Sequence, residues 1–160
     1  MPVFISHRTA DDGTAQSIGN YLYTNFNIRC YLDHFDPEAR TTKDITNLIV
    51  NRIRDCTHLM AVITNSTVGS WWVPFEIGVA RQSNRRITSF DASSLQLPEF
   101  LQEWPVMETD DDLDLFAEAY HRDNSARPLV EKYAQANRRI ISADDFHERL
   151  KRAIHTGVLR

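Results

Sequence analysis

Short apolar runs alternate along this chain with longer stretches in which apolar residues return every three or four positions. Val3, Phe4 and Ile5, closed by Ser6, form the first run, and their β-branched and aromatic character predicts a strand at 3–6. Residues 7–13 are polar and turn-like. Ala15, Ile18, Tyr21, Leu22 and Phe26 then follow at close to helical spacing, which predicts a helix over 14–26. A second strand at 28–32 closes on Asp33, and 34–42, with Pro37 and several charges, reads as an exposed loop. Ile45, Leu48, Ile49 and Ile53 give a second helix, 44–54, one apolar face. The run HLMAVIT at 58–64 is the most apolar strand. A third helix opens near Ser70, which fits an N-cap, tolerates Pro74 in its first turn and runs to about Ser83. Asn84, Arg85 and Arg86 break the pattern before a fourth strand at 87–90 that ends on Asp91. A short helix at 97–101, a fifth strand at 105–108 and a helix at 110–120 follow, the last with an acidic start suited to a helix N-terminus. The character changes near Asn124. Two further helices are expected, at 128–139 and 143–155, with Ser142 and Asp145 approximating a capping box for the second.

Five short apolar strands mostly separated by helices predict an α/β fold, a parallel sheet covered on both faces. The expected arrangement is flavodoxin-like, strand order 2-1-3-4-5, with ligands at the carboxyl ends of strands one and three. That order sets the loop 6–12 beside the segment 65–76. Residues 1–123 are expected to form the domain and 124–160 a helical extension packed on it, because about 35 residues would struggle to fold alone.

Composition narrows the function classes. The 160 residues are 42% hydrophobic and 25% charged, with net charge −4 and pI near 5.8, which argues against a dedicated nucleic-acid binder. No apolar run approaches the roughly 20 residues of a membrane span. Met1-Pro2 leads straight into the first strand, so no signal peptide is expected. Cys30 and Cys56, isolated in apolar surroundings, read as reduced core thiols, and both points suit a cytoplasmic protein. Neither a Gly-rich dinucleotide fingerprint nor a P-loop is present, and the six His show no metal-ligand spacing, so neither a retained cofactor nor a metal is expected. A phosphoacceptor receiver needs Asp after the third strand, where this chain has Asn65. Arg81, Arg85, Arg86, Arg138 and Arg139 read as solvated faces.

Candidate chemistry concentrates in Ser70, Trp72 and Glu76, spaced S-x-W-x-x-x-E. Trp72 and Glu76, four apart, share a helix face and would bring one carboxylate and one indole to the expected crevice. Taken alone, Glu76 reads first as a solvated first-turn carboxylate that complements the helix dipole. Ser70 reads first as a cap and Trp72 as a core aromatic. Arg8 suits a pyrophosphate or a ribose as well as a surface ion pair. His7 packs on a ligand or simply ends the strand, and Asp33 is expected to fix the loop that follows it more than to touch a ligand.

VFISHR at the start, YLD at the second strand and SWWVPFE after the third together resemble a TIR (Toll/interleukin-1 receptor) domain over about residues 3–108. His7 departs from the aromatic that usually follows F-I-S, Trp71 fills a position of no fixed type, and the helices beyond about 124 lie outside the usual TIR core. The resemblance implies cleavage of NAD+, as a consumed substrate, at the bond between nicotinamide and ribose. It makes Glu76 the catalytic residue, with His7, Arg8, Asp33, Ser70 and Trp72 as substrate-side candidates. It also implies self-association through TIR surfaces, in which the loop 34–42 meets a neighbouring subunit.

Because the chain opens at the first strand with no receptor segment before it, the expectation is a stand-alone bacterial protein of the antiphage, Thoeris-like kind. It would send a cyclic or modified ADP-ribose to a separate effector. Two other readings stand beside this one. One is a non-catalytic TIR adaptor. The other is a nucleoside deoxyribosyltransferase, suggested by the E-x-G-x-A stretch within FEIGVARQSNRRI, in which the Glu would be a covalent nucleophile.

Overall fold

A computed structural model describes residues 2–32, 42–94, 96–133 and 142–159. Five parallel strands make one sheet in the order β2-β1-β3-β4-β5: β1 (Val3–Ser6), β2 (Cys30–Leu32), β3 (His58–Ile63), β4 (Arg86–Asp91) and β5 (Val106–Met107). The α/β, flavodoxin-like arrangement expected from the sequence is therefore the one the chain adopts. Ser6 lies opposite Ala61 across β1 and β3, and Ile63 opposite Asp91 across β3 and β4.

Strands β1 and β3 are largely apolar on both sides because helices cover both faces. Val3, Ile5, Met60 and Val62 meet α1 (Asp12–Phe26), α4 (Asp110–Tyr133) and α5 (Ala143–Thr156) through Ile18, Leu22, Phe116 and Leu150. Phe4, Leu59, Ala61 and Ile63 meet α2 (Thr42–Asp55) and α3 (Trp72–Gln82) through Ile49, Ile53, Val73, Ile77 and Ala80. The period-two alternation along β1 and β3 decides which face each side chain serves.

Element ends explain most of the differences from the sequence reading. A short 3-10 turn, Thr9–Asp11, precedes α1, which ends on Asn27 in the left-handed conformation at φ 53°. A second 3-10 turn, Asn65–Thr67, follows β3 under a capping box built on Thr64. Helix α3 starts at Trp72 with Trp71 at the N-cap position, one residue later than Ser70 as N-cap implies. Ser70 Oγ reaches only the Val73 N–H, at 3.5 Å, and Gly69 at φ 82° turns the chain into the helix. The break at Arg85-Arg86 is Asn84 at φ 54°. Arg86, expected on a solvated face, is instead a buried residue of β4.

The largest correction concerns α4. Two helices separated near 124 were expected, and one helix runs through Pro128, unbroken from Asp110 to Tyr133. Proline there forgoes one backbone bond, and the packing of Leu113, Phe116, Ala117 and Tyr120 upstream anchors the helix against that loss. Ser142 and Asp145 form the expected capping box at the start of α5. Both cysteines are free thiols, and burial pushes them up, Cys30 to about 12 and Cys56 to about 11. Among the described residues, no helix is long and apolar enough to cross a membrane.

Candidate active site at the carboxyl edge of the sheet

Where β1 and β3 end, their outgoing loops lie side by side and are tied by polar contacts. Asp11, buried in the first loop, accepts hydrogen bonds from Thr64 Oγ1 at 2.9 Å and from Ser66 Oγ, both in the second. Arg8, exposed, donates from its guanidinium to the Ser66 carbonyl. His7 is buried, with Nδ1 donating to the Ile5 carbonyl at 3.1 Å and Nε2 2.7 Å from Asp12 Oδ1. The Arg8 and Asp11 contacts cross from one loop to the other, and the His7 contacts hold the first loop in shape.

Glu76 lies beside this bridge. Val73, Glu76, Ile77 and Ala80 are spaced i, i+3, i+4 and i+7 and form the buried stripe of α3. The carboxylate therefore occupies a core position, with 0% of the residue exposed. Its Oε2 accepts a hydrogen bond from the hydroxyl of Ser6, the last residue of β1. A solvated first-turn carboxylate is thus excluded. Burying a carboxylate costs several kcal/mol unless it is hydrogen-bonded, and the fold supplies a donor from another element.

The other sequence candidates divide. Trp72 is half-buried one turn before Glu76, its ring edge-on to Phe75 at 5.8 Å and 83°. Trp71, its neighbour, is 89% exposed. Ser70 stays at the mouth of α3, weakly bonded to its first turn. His7 and Arg8 come within the loop bridge, close to Ser6. Asp33, together with most of the loop 34–42, lies outside the described residues.

Sequence reasoning missed Ser6 and Asp11. The F-I-S run placed Ser6 at a strand end, and only the β1–α3 juxtaposition, seventy residues apart in sequence, reveals its partner. Asp11 read as one of two turn aspartates.

An apolar cavity of about 340 Å³ flanks α3, lined by Val73, Pro74, Ile77, Leu97, Phe100 and Leu101 but not by Glu76. It adjoins the carboxylate's helix without opening onto the carboxylate. No metal-ligating group of three or more His, Cys, Asp or Glu exists among the described residues.

Two comparisons bear on what this edge does. No curated protein matches the chain. The sequence profile of one family, described as TIR domain, matches residues 3–127, which takes in the sheet, both loops and α3. Spanning most of the chain, that match means the protein belongs to the TIR-domain family.

Proposed function

We propose that this protein is an NAD+ nucleosidase or cyclase in which Glu76 is the catalytic group. The observation that carries the reading is a carboxylate on the core stripe of α3, held against the end of β1 in a TIR fold. Cleaving the nicotinamide bond releases a neutral pyridine from a cationic one, so the leaving group needs no general acid. One carboxylate suffices, in contrast to the two that ordinary glycosides require. Glu76 would accept hydrogen bonds from the ribose hydroxyls and stabilise the positive charge that grows on the sugar. Water then gives ADP-ribose, or an internal nucleophile closes a cyclic product.

His7, Arg8, Asp33, Ser70 and Trp72 are the substrate-side residues on this reading. Trp72 offers a face to the nicotinamide, and Arg8 offers a cation to the pyrophosphate once it leaves the Ser66 carbonyl. Because Glu76 is wholly covered, the elements over it must part before NAD+ reaches it. Self-association through TIR surfaces is the natural trigger, and the exposed Val68, Trp71 and Phe100 near the start of α3 support it. Helix α5 would extend the same domain, a reading supported by Phe146 and Leu150, which share the core with β1 and α4. The product would act on a separate effector in bacterial antiphage defence of the Thoeris-like kind.

The test is incubation of concentrated protein with NAD+, with products separated by chromatography and identified by mass spectrometry. Nicotinamide should appear with ADP-ribose or a cyclic isomer, and Glu76→Ala should abolish both. Turnover that survives Glu76→Ala would refute the assignment. Absence of turnover in every assembly state would leave the adaptor reading, and nucleobase exchange between deoxynucleosides would favour the transferase.

A further inference from the structure

Ser6 stands where the alternation of β1 asks for an apolar side chain. Phe4, two residues earlier and on the same face, packs in the cluster that joins the sheet to α2 and α3, and Ala61, directly opposite Ser6 on β3, belongs to that cluster too. Glu76 has the matching anomaly on α3, a carboxylate on a stripe otherwise made of Val73, Ile77 and Ala80. The polar residue of β1 and the polar residue of the α3 stripe meet each other: Ser6, 0% exposed, donates to Glu76 Oε2. A chance surface contact has no reason to pair the polar exceptions of two buried faces.

We infer that Ser6 is a positioning residue, whose hydroxyl fixes the direction in which the Glu76 carboxylate presents its remaining lone pairs. A carboxylate has about four lone-pair sites and one hydroxyl takes a single one, so this bond orients the group without filling it. A strand-borne donor is also rigid. Ser6 is the last residue of a strand paired on both sides, and a loop donor would not hold the carboxylate through the movement that admits substrate. The inference rests on the catalytic reading of Glu76 and adds the group through which the fold controls it.

The experiment compares kcat and KM for NAD+ in the wild-type protein, Ser6→Ala and Ser6→Cys, with unfolding midpoints for each and for Glu76→Ala and the Ser6→Ala/Glu76→Ala double variant. Cysteine keeps the volume but is a weak donor, so it separates packing from hydrogen bonding. Both Ser6 variants should lose about 10- to 100-fold in kcat with KM within about twofold, as expected when an interaction matters mainly in the transition state. In the stability cycle, Ser6→Ala should cost less in the Glu76→Ala background than in the wild type. Full kcat in Ser6→Cys, or an equal stability cost in both backgrounds, would overturn the inference. A wild-type protein that releases no nicotinamide would overturn the catalytic reading itself and this inference with it, whereas a wild type that turns over while Ser6→Ala matches it sinks the role of Ser6 alone.

Discussion

The two ends of the sheet each bury a polar cluster, and they bury it differently. At the carboxyl end, Glu76 meets a neutral hydroxyl, and the surrounding contacts run between loops. At the amino end, Asp123 of α4 sits 3.0 Å from the Arg86 guanidinium and 3.9 Å from His58 Nε2, under the rings of Phe116, Tyr120 and Phe146 that pack on His58. His147 of α5 completes that end by accepting the Ile87 N–H at 2.8 Å. Strand β5 reaches only as far as Ser89 and Phe90, so the Ile87 N–H lies past its end, and the imidazole stands in for the missing strand residue. The amino-end cluster pairs opposite charges and seals them with aromatic rings. The carboxyl-end cluster gives its carboxylates hydroxyl donors, Ser6 to Glu76 and Thr64 and Ser66 to Asp11, at the edge where α/β sheets bind ligands. The first pattern is what a fold needs to dock α4 and α5. The second keeps a carboxylate dry and oriented at some expense in stability.

The contrast is broken most severely at Glu76. Glu76→Ala should lower nicotinamide release by at least about 10³-fold, yet shift unfolding free energy by only about 1 kcal/mol, since it removes a buried charge along with its bond. A large stability loss together with the activity loss would make Glu76 an architectural residue like Asp123. Asp123→Ala should do the reverse. It strips Arg86 of its buried counter-charge and should cost about 3–5 kcal/mol in a urea melt, with kcat unchanged at a temperature where the variant stays folded.

The amino end should also show a pH signature. Burial lowers the His147 imidazole to about 4 from its ordinary 6.5, against the opposing pull of Asp144. The unfolded chain therefore takes up that proton first as pH falls. The contribution of His147 is complete above about pH 6.5, declines as pH falls through about 4 and is level below. It should amount to about 3 kcal/mol at most. His147→Gln keeps an acceptor for the Ile87 N–H but does not titrate, so stability of the variant relative to wild type should rise between pH 6.5 and 4. Parallel curves would show that the imidazole does not stay neutral in the fold.

How far the sequence foretold these two ends follows from the physics of each. The strands and their order were legible because burial on both faces leaves continuous apolar runs. The core placement of Glu76 was also written in the spacing of Val73, Ile77 and Ala80, although a glutamate in a first turn invites the solvent reading. Ser6 and Asp11 were not legible, because their partners stand beside them only once β1, β3 and α3 are assembled. The amino-end cluster was the least visible. Arg86, Asp123 and His147 look solvated one by one, and their burial depends on α4 continuing through Asn124 instead of stopping there. The change of character near Asn124 argued for that stop, and packing further up the helix overrode it.

The smallest expected effect sharpens the comparison at the loop bridge. Arg8 is exposed and its guanidinium meets a backbone carbonyl, so Arg8→Ala should change stability by no more than about 0.5 kcal/mol. Asp11 still ties the two loops through Thr64 and Ser66 in that variant. If the guanidinium serves the pyrophosphate of NAD+, binding must exchange the Ser66 carbonyl for an anion, and the stronger charge-assisted bond makes that exchange favourable. Arg8→Ala should then raise KM several-fold with kcat nearly constant, because the pyrophosphate is bound alike in the ground and transition states. Arg8→Lys, which keeps the charge but not the planar fork, should fall between the two. An unchanged KM in both variants would reduce Arg8 to a clip between loops, and the carboxyl end would then hold its substrate by other groups.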